Sequence, residues 1–218
     1  MKLPLVLLSL FLSVSLNADA QVSFVPMYGG QTVTENKLLM AADSSRLRVE
    51  LMKGYISQVV FVKNGKATEE KNSYHLVDFL SGDPVQFNLP FAPYDSVYFT
   101  MGIDSAVQVK GVMDGDLDPS QNMYWTWQSG YIHLKLEGVS IPAIGKERAF
   151  QYHIGGYRFP DNTCRSFGFP YKPGMKIGVD MQRLLSNMTG FPAEIMSPGP
   201  AATRFADLLQ QCFYLLRQ

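Results

Sequence analysis

The sequence has little cysteine, little histidine and no excess charge. Only two of its 218 residues are cysteine and three are histidine, while basic and acidic residues number 19 each. A nucleic-acid-binding chain usually shows a basic excess, so the balance excludes that class. Two thiols are also too few for a cysteine-only zinc site, because structural zinc takes four ligands. Together, Cys164 and Cys212 instead predict a disulfide in an oxidising compartment.

Several signatures of catalysis are absent. The chain has no glycine-rich phosphate loop, no nucleophile elbow and no internal repeat. No acid and base stand out as a hydrolytic pair. We therefore expect a protein that is not an enzyme.

The one long apolar run is at the N-terminus. Lys2 gives a positive start, residues 3–16 are apolar, and Ala18-Asp-Ala20 is an A-x-A cleavage site. This pattern predicts a secretory signal over residues 1–20, too short for a comfortable membrane span. No cysteine stands at the cleavage point, so we do not expect a bacterial lipoprotein anchor. We expect residues 21–218 to form one periplasmic or secreted domain, with no membrane span after cleavage.

The mature chain is rich in short alternating segments separated by glycine and proline. They predict strands at residues 22–27, 46–51, 56–63, 74–79, 85–89, 96–104, 125–137, 150–157 and 175–179. Residues 159–174 read as a long loop, and Asp180 as the cap of a brief helix. Apolar residues at helical spacing predict a helix over residues 202–211. For residues 213–216 two interpretations stay open, a continuation of this helix or an edge strand. The prediction is an all-β antiparallel sandwich with a short C-terminal helix.

Both tryptophans lie in one strand-forming run. Alternation would put Trp125, Trp127, Ser129, Tyr131 and His133 on one face. A bulge at Gly130 would swap the faces beyond it. Packing in a sandwich core is the structural interpretation of this strand.

An acidic turn precedes the tryptophans. Asp114, Asp116 and Asp118 alternate as calcium ligands can, but no glutamate closes a twelve-residue calcium loop. We therefore predict a solvated turn here rather than a calcium site.

Six blocks within residues 74–156 carry a family resemblance. They are Tyr74-His-Leu-Val-Asp78, Phe99-Thr-Met-Gly-Ile-Asp-Ser105, Gly115-Asp-Leu-Asp-Pro119, Met123-Tyr-Trp-Thr-Trp-Gln-Ser-Gly-Tyr131, Lys135-Leu-Glu-Gly138 and Phe150-Gln-Tyr-His-Ile-Gly-Gly156. In this order they resemble the MbnP-type (CorA/MopE-like) family of exported bacterial copper-binding proteins. The tryptophan block and the His-Ile-Gly-Gly block are the most specific.

The resemblance implies a β-sandwich that binds copper. It also implies that a partner di-haem enzyme oxidises a tryptophan to kynurenine, which then binds copper together with histidine. Imidazole suits copper, and kynurenine adds an aniline nitrogen and a ketone. On this basis we expect copper ligation by His153 and by one of Trp125 and Trp127, with His75 as the second histidine.

Strand geometry limits which histidine joins a tryptophan. At about 3.3 Å per residue, a continuous strand puts His133 roughly 20 Å from Trp127. We therefore rank His133 below His153 and His75 as a copper ligand. A hairpin turning near residue 143 would set His153 opposite residue 133 or 134. A crossover to the other sheet would bring His153 to the tryptophans instead. The sequence leaves both connections open.

A sugar-binding role is the alternative. In a carbohydrate-binding or adhesion module, Trp125, Trp127 and Tyr131 would stack on a sugar ring. That function requires flat, exposed tryptophans with polar neighbours.

Overall fold

The computed structural model describes residues 20–40, 45–90 and 92–217. The predicted signal segment therefore lies outside the described residues, except for Ala20. That residue already begins the first strand, is buried, and pairs with Phe87.

The described residues form strands and short helices in the following order. The strands are β1 (Ala20–Tyr28), β2 (Gln31–Thr32), β3 (Leu38–Met40), β4 (Arg46–Lys63), β5 (Lys66–Glu69), β6 (Tyr74–Asp78), β7 (Pro84–Phe87), β8 (Ser96–Met101), β9 (Tyr124–Thr126), β10 (Gly130–Ile141), β11 (Arg148–Gly155), β12 (Arg165–Pro170), β13 (Lys176–Asp180), β14 (Glu194–Ile195) and β15 (Phe213–Leu215). The α-helices are α1 (Ser105–Gln108), α2 (Met181–Ser186) and α3 (Pro200–Gln210). None of these helices is long and apolar enough to span a membrane.

The strands make two sheets with one core between them. The smaller sheet has the order β15-β13-β1-β2, with β7 also on β1, and the larger has the order β12-β8-β4-β10-β11-β14. Phe24 of the smaller sheet meets Phe99 of the larger edge-on, with ring centroids 5.5 Å apart. The all-β prediction is confirmed. The sheets are mixed, because β1 pairs with β13 and β11 with β14 in parallel.

Strand β4 organises the larger sheet. It joins two predicted strands, 46–51 and 56–63, into one of 18 residues. Gly54 allows this, because a β-carbon there would lie 2.9 Å from Met101 Cε and 3.1 Å from the His133 carbonyl. Near its middle Gln58 has φ +52, and the register with β8 shifts between Ser57 and Val60. This bulge lies inside the second predicted strand. The two predicted strands look separate because residues 54–57 are all buried, so the alternation is lost there.

The C-terminal third agrees with the sequence except at two strands, β12 and the two-residue strand β14. The Asp180 carboxylate caps α2 by accepting from the Arg183 amide at 2.9 Å. Residues 213–216 contribute the edge strand β15 after α3. The predicted loop 159–174 is wrong in part, because it contains β12. There Phe167 stacks on Phe99, and β12 pairs with β8. This packing outweighs the low strand propensity of the glycine and proline residues in the segment.

Candidate metal centre

The tryptophan segment folds back on itself. After the short strand β9, Gly130 turns with φ +74, and β10 returns so that Tyr131 pairs with Tyr124. A β-carbon on Gly130 would overlap the Gln108 amide oxygen, so the turn has no room for a side chain. The predicted continuous strand is therefore wrong, and with it the distance argument against His133. The expected bulge is present, because the register shifts between Gly130 and Tyr131.

The two tryptophans enter different environments, so the prediction that they share one strand face is wrong. The Trp125 indole is half-buried against the aromatic cluster around Tyr131. Its Nε1 is fully buried and has no hydrogen-bond partner among the described residues. Trp127 follows the end of β9 and is 76% exposed. The chain thus offers one shielded indole and one accessible indole.

His153 lies in the hairpin formed by β10 and β11. It pairs with Lys135 rather than with residue 133 or 134, because the hairpin turns one residue later than predicted, with Ser140 opposite Arg148. Its Nε2 lies 2.6 Å from Glu137 Oε1. An ionised carboxylate only accepts hydrogen bonds, so Nε2 donates to it, and in the neutral imidazole Nδ1 then keeps its lone pair. The hydrogen bond that the described residues give the His153 ring is thus at Nε2, which leaves Nδ1 as the nitrogen for a metal ion.

Trp125 and His153 share one face of β11. Phe150, Tyr152 and Ile154 point into the main core, so His153 and Gly155 face the other way. The Trp125 ring covers Gly155, since a β-carbon there would lie 2.7 Å from its Cζ3. Positions two apart on a strand are about 7 Å apart. The hairpin therefore brings the tryptophan block and the His-Ile-Gly-Gly block together.

His75 lies elsewhere in the sheet. It is on β6, which pairs with β4, whereas His153 is on β11, beyond β10 on the other side of β4. Its Nε2 lies 2.7 Å from Glu70 Oε2, and its ring meets Phe87 edge-on. The structure does not bring His75 to His153. Within the described ranges no three side chains of histidine, cysteine, aspartate or glutamate form a metal cluster.

Comparison with known proteins places the chain. A family model described as MbnP matches residues 17–197. The chain belongs to the MbnP family. A solved structure, MbnP from Methylosinus trichosporium, is similar with a TM-score of 0.60 at 16% identity, covering 84% of this chain and 81% of that one. That likeness supports a shared fold. No curated protein matches the chain in sequence.

In this MbnP-family chain the His133 ring is buried and forms hydrogen bonds through both of its nitrogens. The Gln108 amide oxygen accepts from the Tyr131 amide at 2.8 Å, so its nitrogen donates to His133 Nε2, also at 2.8 Å. Nδ1 then donates to Thr163 Oγ1 at 2.9 Å. Burial lowers the pKa of His133 to about 3. Both ring nitrogens are occupied and the ring is neutral, so His133 has no free nitrogen for a metal ion.

The cysteines of this MbnP-family chain are unpaired, so the predicted disulfide is wrong. The Cys164 thiol donates to the Ile103 carbonyl at 3.4 Å, beside His133. The Cys212 thiol donates to the Leu208 carbonyl at 3.2 Å, just after α3. Burial raises the pKa of each thiol to about 12. Each thiol is held by a backbone carbonyl of its own, and neither is activated.

The acidic turn serves the backbone. Asp116 Oδ2 accepts from the Leu76 amide at 2.8 Å. Asp118 Oδ1 accepts from the Ser120 amide at 2.7 Å, and hydrogen bonds from the Ser120 hydroxyl and amide lower the pKa of the Asp118 carboxyl. Asp118 therefore caps the turn that follows it, whereas Asp116 joins the acidic turn to β6.

The sugar-stacking alternative lacks its platform. Tyr131 is fully buried, and its hydroxyl donates to the Leu117 carbonyl at 2.8 Å. Trp125 covers Gly155, so Trp127 is the only one of the three predicted rings that is well exposed. Nothing in the sequence assigned Gln108, Thr163 or Glu137. Each is recognisable only by its contact with a histidine.

Proposed function

We propose that this MbnP-family protein is an exported copper-binding protein without catalytic turnover. One observation supports the site most strongly: β11 places His153 two positions from Gly155, on the strand face that the Trp125 indole covers. Imidazole nitrogen is a good copper ligand. His153 would supply Nδ1, because Glu137 occupies Nε2.

The second ligand would come from an oxidised tryptophan. A partner di-haem enzyme would oxidatively cleave the indole C2–C3 bond, with each carbon taking one oxygen atom from dioxygen or from two molecules of peroxide, to give N-formylkynurenine. Water would then hydrolyse the formamide C–N bond and release C2 as formate. The product, kynurenine, has an aniline nitrogen and a ketone. Trp127 is the accessible indole, at 76% exposure. Trp125 is the one beside His153, and its buried N–H lacks an acceptor among the described residues. Both remain candidates.

His75 would act separately if it binds copper. The β10 and β4 strands lie between it and His153, and Glu70 holds its Nε2. In this proposal the protein works in the periplasm or outside the cell after removal of residues 1–20. Its partners are a copper ion and the di-haem enzyme.

The test is copper content measured together with intact mass. Protein purified from its native host should show the mass of one tryptophan converted to kynurenine and should retain copper after dialysis. Trp125→Phe and Trp127→Phe, produced in the same host, identify the modified residue, because only one of them should abolish the mass change. Fully converted wild-type protein that takes up no copper would refute the proposed function.

A further inference from the structure

We propose that Glu137 is a positioning residue that fixes the tautomer of His153 and makes Nδ1 the copper-binding nitrogen. This inference rests on the proposed function, because it concerns the imidazole of the same site. Glu137 itself need not touch the metal ion.

The geometry is that of a carboxylate orienting a histidine ligand. Glu137 Oε1 and His153 Nε2 are 2.6 Å apart, with side chains 27% and 10% exposed. In the hairpin Glu137 pairs with Gln151 and His153 with Lys135, so the two side chains meet diagonally on one face. Ligating histidines commonly donate their other ring N–H to a carboxylate, which sets the ring orientation and raises its basicity.

The neighbouring cation does not compete for this contact. The Lys135 ammonium donates to the Asn122 carbonyl at 2.7 Å. The Glu137 carboxylate is thus available to the His153 ring.

The other two histidines show why this pair is distinctive. At His133 the Gln108 amide donates to Nε2 and the Thr163 hydroxyl accepts from Nδ1, so neither ring nitrogen is available to a metal ion. At His75 the carboxylate of Glu70 also accepts from Ser73 and from the Asn88 amide, so it is tied into the fold. The contact between Glu137 and His153 can be altered without breaking such backbone bonds.

The experiment compares two substitutions of Glu137 in protein whose tryptophan oxidation is verified by mass. Glu137→Gln keeps an acceptor oxygen but loses the charge, and Glu137→Met loses both. Glu50→Met is the matched control, because Glu50 is a half-exposed strand carboxylate paired with Arg48 and not with a histidine. The readouts are ring ¹⁵N NMR of His153 and Cu(I) affinity by competition with a chromophoric chelator.

Wild-type protein should show a single Nε2–H tautomer, and Cu(I) should shift the Nδ1 resonance. Glu137→Met should give a tautomer mixture and lower the affinity by about 10- to 100-fold. Glu137→Gln should lie between, and Glu50→Met should match wild type. Thermal melts verify that each variant is folded, and the Gln variant decides the matter if the Met variant is not.

Four outcomes would overturn the inference. Wild-type affinity in both Glu137 variants removes the positioning role and leaves the copper function standing. Equal losses in both assign the effect to charge rather than to tautomer. A Cu(I)-induced shift of the Nε2 resonance, instead of the Nδ1 resonance, would show that copper binds the other nitrogen. Wild-type protein that binds no Cu(I) overturns the inference and the proposed function together, a failure visible before any variant is made.

Discussion

The Trp125 indole lies directly against the α-carbon of Gly155. A β-carbon at that position would lie 2.7 Å from Cζ3 and 3.1 Å from Cη2 of the ring, and 2.7 Å from the Tyr131 carbonyl oxygen. The absence of a side chain therefore lets the tryptophan hairpin rest on β11, two positions from His153. This contact is the physical basis for placing the indole and the imidazole in one site.

Gly155→Ala should displace the indole and destabilise the protein. The added methyl group has rigid neighbours on two sides, and overpacking of this kind costs about 1–3 kcal/mol. Denaturant unfolding would measure the loss, and tryptophan fluorescence should report the moved ring. Gly190→Ala is the control, because nothing lies within 4 Å of the position of its β-carbon. Equal stability of the two variants would contradict the close contact.

The stability of the protein should depend on the protonation of His133. Burial lowers its folded pKa to about 3, below the value of about 6.5 in the unfolded chain. Its contribution is complete above the unfolded value and is lost as pH falls from there towards the folded value. The slope for one such group is at most about 1.4 kcal/mol per pH unit.

His133→Gln tests this dependence. Urea unfolding of wild type and variant between about pH 7 and about pH 5 should show the stability difference narrowing as pH falls. Other titrating groups, including Glu70, are present in both proteins and cancel. Burial raises the pKa of Glu70, but hydrogen bonds from His75, Ser73 and the Asn88 amide lower it by more. A difference that stays constant with pH would contradict a buried neutral His133.

Both thiols should be present but unreactive in the folded protein. Burial holds the pKa of each at about 12, and the thiolate is the reactive form. A chromogenic thiol reagent at neutral pH should therefore react slowly with native protein. After unfolding without reductant it should titrate Cys164 and Cys212 in full. Unfolded protein with no titratable thiol would restore the disulfide that the sequence suggested.

Much of the fold could be predicted from local pattern. Alternation located most of the strands, and Asp180 marked the start of α2 because capping is a local interaction. β12 was missed because it is stabilised by a contact distant in sequence, the stacking of Phe167 on Phe99, and not by a local pattern. The break after Thr126 was missed for a similar reason, because Gly130 owes its turn to Gln108, far along the chain.

The candidate site was predictable only in part. Its tryptophan and His-Ile-Gly-Gly blocks can be read from the sequence, but their meeting depends on the register of β10 and β11. The loop between the strands sets that register, with Ser140 opposite Arg148, and a bulge between Ile132 and Leu134 shifts the pairing only from Gly155 onward. The same register decides that Glu137, rather than His133, faces His153.

The most direct test of the copper site is a Cu(I) competition titration of oxidised protein carrying His153→Ala. His75→Ala is the matched control, because it also removes one imidazole that contacts a glutamate carboxylate. If His153 and the modified tryptophan hold the ion, His153→Ala should abolish tight binding and His75→Ala should bind like wild type. Wild-type affinity in His153→Ala, or a loss confined to His75→Ala, would contradict the site on β11.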